Sequence, residues 1–175
     1  MYEVTLIPGD GVGPQVADVM CDVVAATGVA VKWDVPTPGD LDAIVASTKR
    51  TGLAVKSKIL APAVAGRMPL TLQFRKRLQL NAIVRHVKHV PGLPARAPGT
   101  DIVIVREASE DIYAGFEHES TDGVFESVKV TTRAACERIA TFAFDYALAN
   151  GRKRVTTVHK ANILKKADGM FLAVS

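Results

Sequence analysis

Three arginines, a tyrosine and a lysine carry most of the chemistry that this chain offers. Arg75, Arg85 and Arg106 stand on three different predicted elements, at a helix start and at two strand ends. A guanidinium is planar and permanently charged, and its forked N–H groups reach two oxygens at once. Three of them arriving from separate elements make a clamp for a multiply charged carboxylic acid. Any single arginine is more often a surface residue, and sequence alone does not show convergence. Tyr113 lies in the charged run Arg106-Glu107-Ala108-Ser109-Glu110-Asp111-Ile112-Tyr113. A phenol near a cation can give or take a proton; the alternative is a loop ring that only packs. Lys160 and Asn162 follow Val155–Val158, which reads as a buried strand, and sites in α/β proteins gather at such carboxyl ends. His159 has no partner histidine at metal-ligand spacing, so it reads as structural or as a tuning residue.

The loop Pro8-Gly9-Asp10-Gly11-Val12-Gly13-Pro14 follows an apolar strand and precedes a helix, a layout that can bring backbone N–H groups to a phosphate. Its spacing is GxGxG rather than GxGxxG, and Asp34 runs straight into a proline turn instead of ending the second strand as a ribose ligand does. A dinucleotide fingerprint is therefore the weaker reading. Cys21 and Cys136 form neither a CxxC nor a Cys/His pattern, so they read as small buried hydrophobes and no metal site is expected.

Charge is unevenly spread. From Ala43 through Thr100 there is no Asp or Glu, yet eleven of the 22 Lys and Arg fall there. Such a span suits a polyanion, nucleic acid or a small polycarboxylate, or else a solvated positive face. No apolar run approaches the roughly 18 to 20 residues that cross a bilayer, and MYEVTLIPGD lacks a signal-peptide layout, so the expectation is a cytoplasmic protein with no membrane partner.

The elements that must position these residues alternate. Tyr2–Ile7 reads as a strand. A helix with Val16, Val19, Met20, Val23 and Val24 follows, stopped by Gly28, and then a strand from Val29 to Val35. Leu41, Ile44, Val45 and Thr48 mark a second helix ending near Gly52, with a short strand over Leu53–Val55. Pro62, Gly66 and Pro69 keep 58–72 irregular before a helix from about Leu72 to Leu80. Ala82–Val84 and Ile102–Val105 are strands separated by proline and glycine turns. Phe116–Val130 reads as an extended arm, Thr132–Asn150 as a long helix, and the last residues from Asp168 as the beginning of another. Alternating strands and helices give α/β class, with lobes expected at 1–95 and 96–175.

Three motifs in order, IPGDGVGP, IVIVREASEDIYAGFEHES and RVTTVHKANILKKADGMFL, resemble the isocitrate and isopropylmalate dehydrogenase family over nearly the whole chain. EDIYAG followed by FEHES is more similar to the isocitrate enzymes, and Glu117–Leu172 to their NAD-dependent mitochondrial-type subunits. The resemblance implies an incomplete form of that fold, with the first part of the large lobe and much of the small one. It implies that Arg75, Arg85 and Arg106, together with Thr71, hold the carboxylates of isocitrate. It implies that Tyr113 protonates the enol, that Lys160 takes the hydroxyl proton as hydride leaves, and that Asn162 lies near the nicotinamide. The reaction implied is NAD-dependent oxidative decarboxylation of isocitrate to 2-oxoglutarate, NADP being the other candidate cofactor. Magnesium or manganese would assist, with ligands beyond this chain, so the chain alone is expected to be inactive. Lys160 in the family serves a neighbouring subunit, which implies a homodimer or hetero-oligomer and makes nucleic acid an unneeded partner. Pro69 and Thr71 stand where the family usually has a serine and an asparagine, and Ala61-Pro62 where it has Thr-Pro. These departures point to a second reading, a non-catalytic regulatory-type subunit that binds a tricarboxylate or docks on a catalytic one.

Overall fold

The computed structural model describes residues 1–59 and 69–175. Contacts divide the chain into two compact units, Met1–Gln79 and Leu80–Ser175. Both mix helices with sheet, and the class is α/β.

The first unit is built on a parallel sheet. β1 (Tyr2–Ile7) lies between β2 (Val31–Asp34) and β3 (Ala54–Lys56) and pairs with both in parallel. Val4, Thr5, Leu6 and Ile7 are all buried, as suits a central strand covered on both faces. The connections are α1 (Gly13–Ala26) and α2 (Leu41–Thr51). α2 starts at Asp40, whose side chain accepts from the Ala43 N–H at 3.0 Å, and stops at Gly52 with φ of 72°. Ile44 and Val45 of α2 meet Ile7 and Phe74, the latter on α3 (Leu70–Arg77), to form the core. Beneath α2, the wholly buried Thr5 hydroxyl bonds to Ser47 at 2.6 Å and Thr51 at 2.8 Å, and Ser47 in turn donates to Asp34. Asp34 thus serves the fold, where Arg50 also reaches it at 2.5 Å.

The second unit contains two antiparallel ladders. β4 (Ala82–Lys88) pairs with β5 (Asp101–Glu107), and β6 (Asp111–Thr121) with β7 (Val124–Val130). α4 (Arg133–Ala149) turns Ala135, Cys136, Ile139, Ala140 and Ala147 inward, and α5 (Ala167–Val174) packs on it. Thr132 begins α4 by accepting from the Ala135 N–H at 3.2 Å.

Several expectations change. The compact units divide after Gln79, and β4 is longer than Ala82–Val84, pairing residue for residue with β5. α1 buries Gly13 and Ala17, while Val16, Val19 and Val23 are more than half exposed, so the valine row points outward. Cys136 is buried but Cys21 only half so. α3 starts at Leu70, directly after Pro69, whose fixed φ suits a helix entry. The arm is a hairpin, with Gly123 at φ 75° in its turn. Val155–Val158 is not a strand. No described strand pairs with it, and Val158 is 85% exposed, for an apolar run forms a strand only beside an edge that accepts its hydrogen bonds. Ala61 and Pro62 lie outside the described residues.

Candidate active site

In the β4–β5 ladder Arg85 is opposite Ile104 and Arg106 is opposite Ile83. Alternation along strands puts all four on one face, with the two arginines as diagonal neighbours, about 7–8 Å apart at that register. The other face carries His86 and Val103. There the Tyr146 hydroxyl of α4 meets His86 Nε2 at 3.1 Å, and Arg152 holds Asp101 at 2.7 Å. α4 therefore covers one side, and both guanidinium groups stand on the other, exposed beside Ile102 and Ile104.

Arg106 also meets the tyrosine. Its guanidinium carbon lies 4.8 Å from the centroid of the Tyr113 ring, a cation–π distance, and the phenol raises Arg106 further above its ordinary value. The turn between them is held by carboxylates. Glu107 accepts from the Ser109 N–H at 2.9 Å, from the Glu110 N–H at 2.9 Å and from the Ser109 hydroxyl. Glu110 reaches the start of α4, accepting from Thr132 N–H at 2.8 Å and Oγ1 at 2.6 Å. Asp111 opens β6 at φ 66°, a left-handed conformation that aspartate tolerates because its side chain bonds locally, here to the Ile112 N–H at 2.9 Å.

Lys160 and Asn162 lie on an exposed turn between α4 and α5. The Lys160 carbonyl accepts from the Ile163 and Leu164 N–H groups at 3.0 and 2.9 Å, and the Ala161 N–H donates to His159 Nδ1 at 3.1 Å. The Lys160 N–H donates to Asp168 Oδ2 at 2.7 Å. Asp168 is 8% exposed, and its other oxygen takes the Lys129 ammonium at 2.6 Å. Lys129, and after it the Lys160 N–H, hold the Asp168 carboxyl below its ordinary range, while Asp168 pushes Lys129 up. A cleft of about 160 Å³ lies alongside, bordered by Glu107, Asp111, Lys129, Cys136 and Asp168. Burial, followed by Glu110, raises the Cys136 thiol above its ordinary value.

In the first unit, Thr71 and Arg75 are one helical turn apart on α3, both half-buried. Burial, with Arg75 as the second cause, lowers the Lys56 ammonium. Pro69 occupies the N-cap position of α3 and supplies no side-chain acceptor there. The glycine loop packs on its own chain: a Cβ at Gly9 would lie 2.2 Å from the Lys58 carbonyl oxygen, and one at Gly13 2.4 Å from that of Pro8. These glycines are explained by close backbone approach. The basic span finds acids outside itself, Arg50 with Glu3 and Asp34, and Arg77 with Asp42.

The structure thus brings together Arg85, Arg106 and Tyr113 in one unit and Thr71 with Arg75 in the other. Sequence reading missed Lys129 and Asp168, which nothing local marks, since 39 positions separate them. Among the described residues no group of three His, Cys, Asp or Glu side chains is placed to hold a metal ion. Nor is any helix among them long and apolar enough to cross a membrane.

A family model described as isocitrate/isopropylmalate dehydrogenase matches residues 3–175. Similar curated proteins include isocitrate dehydrogenase [NAD] subunit 1, mitochondrial, of Ajellomyces capsulatus, 42% identical over 97% of this chain and 47% of its own length. Another is isocitrate dehydrogenase [NAD] regulatory subunit 1, mitochondrial, of Arabidopsis thaliana, 44% identical with the same coverage. The crystal structure of isocitrate dehydrogenase from Methylococcus capsulatus superposes with a TM-score of 0.88 at 38% identity, covering 99% of this chain and 56% of that one. The chain spans about half the length of the relatives it matches. The expected cytoplasmic location is overturned, because these curated relatives are mitochondrial.

Proposed function

Since the chain belongs to the isocitrate/isopropylmalate dehydrogenase family, we propose that it supplies the carboxylate-recognition and proton-transfer half of an NAD-dependent isocitrate dehydrogenase subunit, working within a hetero-oligomer or dimer of a mitochondrial type. Arg85 and Arg106 hold carboxylates of isocitrate, and Thr71 and Arg75 are the carboxylate-binding candidates of the first unit. Lys160 takes the proton of the substrate hydroxyl, and Tyr113 returns one to carbon after carbon dioxide has left, giving 2-oxoglutarate. Bound NAD would supply the hydride acceptor, and Asn162 would help hold its nicotinamide end. The observation that carries this reading is Arg106 over the Tyr113 ring, with Arg85 as its diagonal neighbour on the ladder.

The test is calorimetry with isocitrate, and formation of reduced nicotinamide when the chain is combined with the portion of a relative that it does not match. Binding lost in Arg106→Ala and turnover lost in Tyr113→Phe are expected. Saturable binding that Arg106→Ala leaves intact would sink the assignment.

Pro69 favours a second reading, a regulatory subunit, because α3 begins there with no side chain available for a ligand or for the helix, and several relatives are regulatory subunits. Tricarboxylate binding with no turnover in any combination, including with catalytic subunits bearing their own complete sites, would select it.

A further inference from the structure

Lys129 and Asp168 have no part in the chemistry above, yet they meet beneath the residue that does. Asp168 is a buried carboxylate whose two oxygens are spent on different elements: Oδ1 on Lys129 at the end of β7, Oδ2 on the backbone N–H of Lys160. The Lys160 side chain itself is exposed. Four aliphatic carbons separate its ammonium from the backbone, so where that amine sits depends on how firmly the backbone is held. The N–H is held by Asp168 and the carbonyl by the Ile163 and Leu164 N–H groups. Of these grips, the first is charge-assisted and shielded from water, hence the strongest.

We propose that Asp168, locked by Lys129, is a positioning residue that fixes the Lys160 backbone and thereby delivers its amine to the substrate hydroxyl. This rests on the reading of Lys160 as proton acceptor. A carboxylate is required because it has an oxygen for each partner. A carboxamide has one, and must abandon either the ammonium or the amide. Lys129 is required because a carboxylate buried without a cation would swing toward water or take up a proton.

The test compares wild type, Asp168→Asn and Lys129→Met by amide hydrogen exchange and by steady-state kinetics. In Asp168→Asn the Lys160 amide should exchange about tenfold faster or more, the factor expected when one charge-assisted bond is lost, while the α4 amides keep their protection. An unchanged Lys160 amide in a folded variant overturns the proposal. Should Asp168→Asn unfold the second unit, Lys129→Met is read by the same criterion, and an unchanged Lys160 amide there overturns it equally. In the assembled enzyme, kcat should fall about tenfold to a hundredfold with KM nearly constant, the mark of a displaced proton acceptor rather than a lost binding contact. Equal loss in KM alone overturns the positioning role. Absence of wild-type turnover would count against the isocitrate reading, and the amide exchange still decides the clamp.

Discussion

Arg106 rests 4.8 Å above the ring of Tyr113, and the contact ties the cation proposed to bind substrate to the phenol proposed to transfer a proton. The two roles can be separated. Tyr113→Phe keeps the ring under the guanidinium and removes only the hydroxyl, so binding of isocitrate by calorimetry should stay within about twofold while turnover collapses, since general acid catalysis typically contributes about a hundredfold or more. Arg106→Lys keeps the charge but loses the fork, so affinity should drop about tenfold or more. Equal affinity in Arg106→Lys and wild type would remove the bidentate role.

Two glycines with nearly the same φ should respond differently to alanine. Gly52, at φ 72°, has nothing within 4 Å of a built Cβ, so Gly52→Ala should cost only the left-handed backbone penalty, about 1–2 kcal/mol. Gly9, at φ 77°, would drive its Cβ into the Lys58 carbonyl, adding overpacking for a total of roughly 2–5 kcal/mol. Denaturant midpoints of the two variants decide; if Gly9→Ala is the milder, the loop does not pack as described.

The Lys129–Asp168 pair sets a pH window. Asp168 is held below its ordinary 3.8, so its contribution is complete above that value and fades as pH falls through the lower folded one. Lys129 is raised above 10.5, so its contribution is complete below that value and fades as pH climbs through the higher one. Denaturation at a series of pH values should show the acid limb flattened in Asp168→Asn and the alkaline limb flattened in Lys129→Met. Identical profiles in all three proteins would mean the pair contributes nothing.

Removing the carboxylate that joins the site turn to α4 should loosen both. In Glu110→Ala the Thr132 N–H and hydroxyl lose their acceptor, and a loss of about 1 kcal/mol is expected from analogous helix N-termini. Thr132→Ala should cost somewhat more, because it also removes the acceptor of the Ala135 N–H, and the double variant should cost less than the sum, because the bond from the Thr132 hydroxyl to Glu110 is common to both changes. Full additivity in urea titrations would show that they act separately.

Local chemistry was the legible part of the fold. Asp40 and Gly52 bracket α2 as their types dictate, and Tyr2–Ile7 is a strand as its β-branched residues suggest, although its last four residues are all buried because β1 is central and covered on both faces. Helix facing was harder to read. In α1 the valines looked like the buried face, but the small Gly13 and Ala17 are the buried residues, and at Gly13 a Cβ would lie 2.4 Å from the Pro8 carbonyl oxygen. Val155–Val158 had the composition of a strand and lacked a partner, a property held by other segments. At the site, arginine, tyrosine and lysine could be picked out by type. Asp168 could not, because an aspartate before a glycine reads as a turn residue, and only the folded chain brings Lys129 and the Lys160 N–H to it.

The Lys129–Asp168 contact also dictates when the site can mature. Closing a loop of 39 positions costs chain entropy, about 3 kcal/mol from its length alone, and neither ladder of the second unit depends on it. The hairpins and α4 can therefore form while the chain is still emerging from the ribosome. Lys160 cannot settle until eight more residues have been made and Asp168 has come back to receive it. The Lys160 backbone is thus fixed later in synthesis than the hairpins and α4 that surround it.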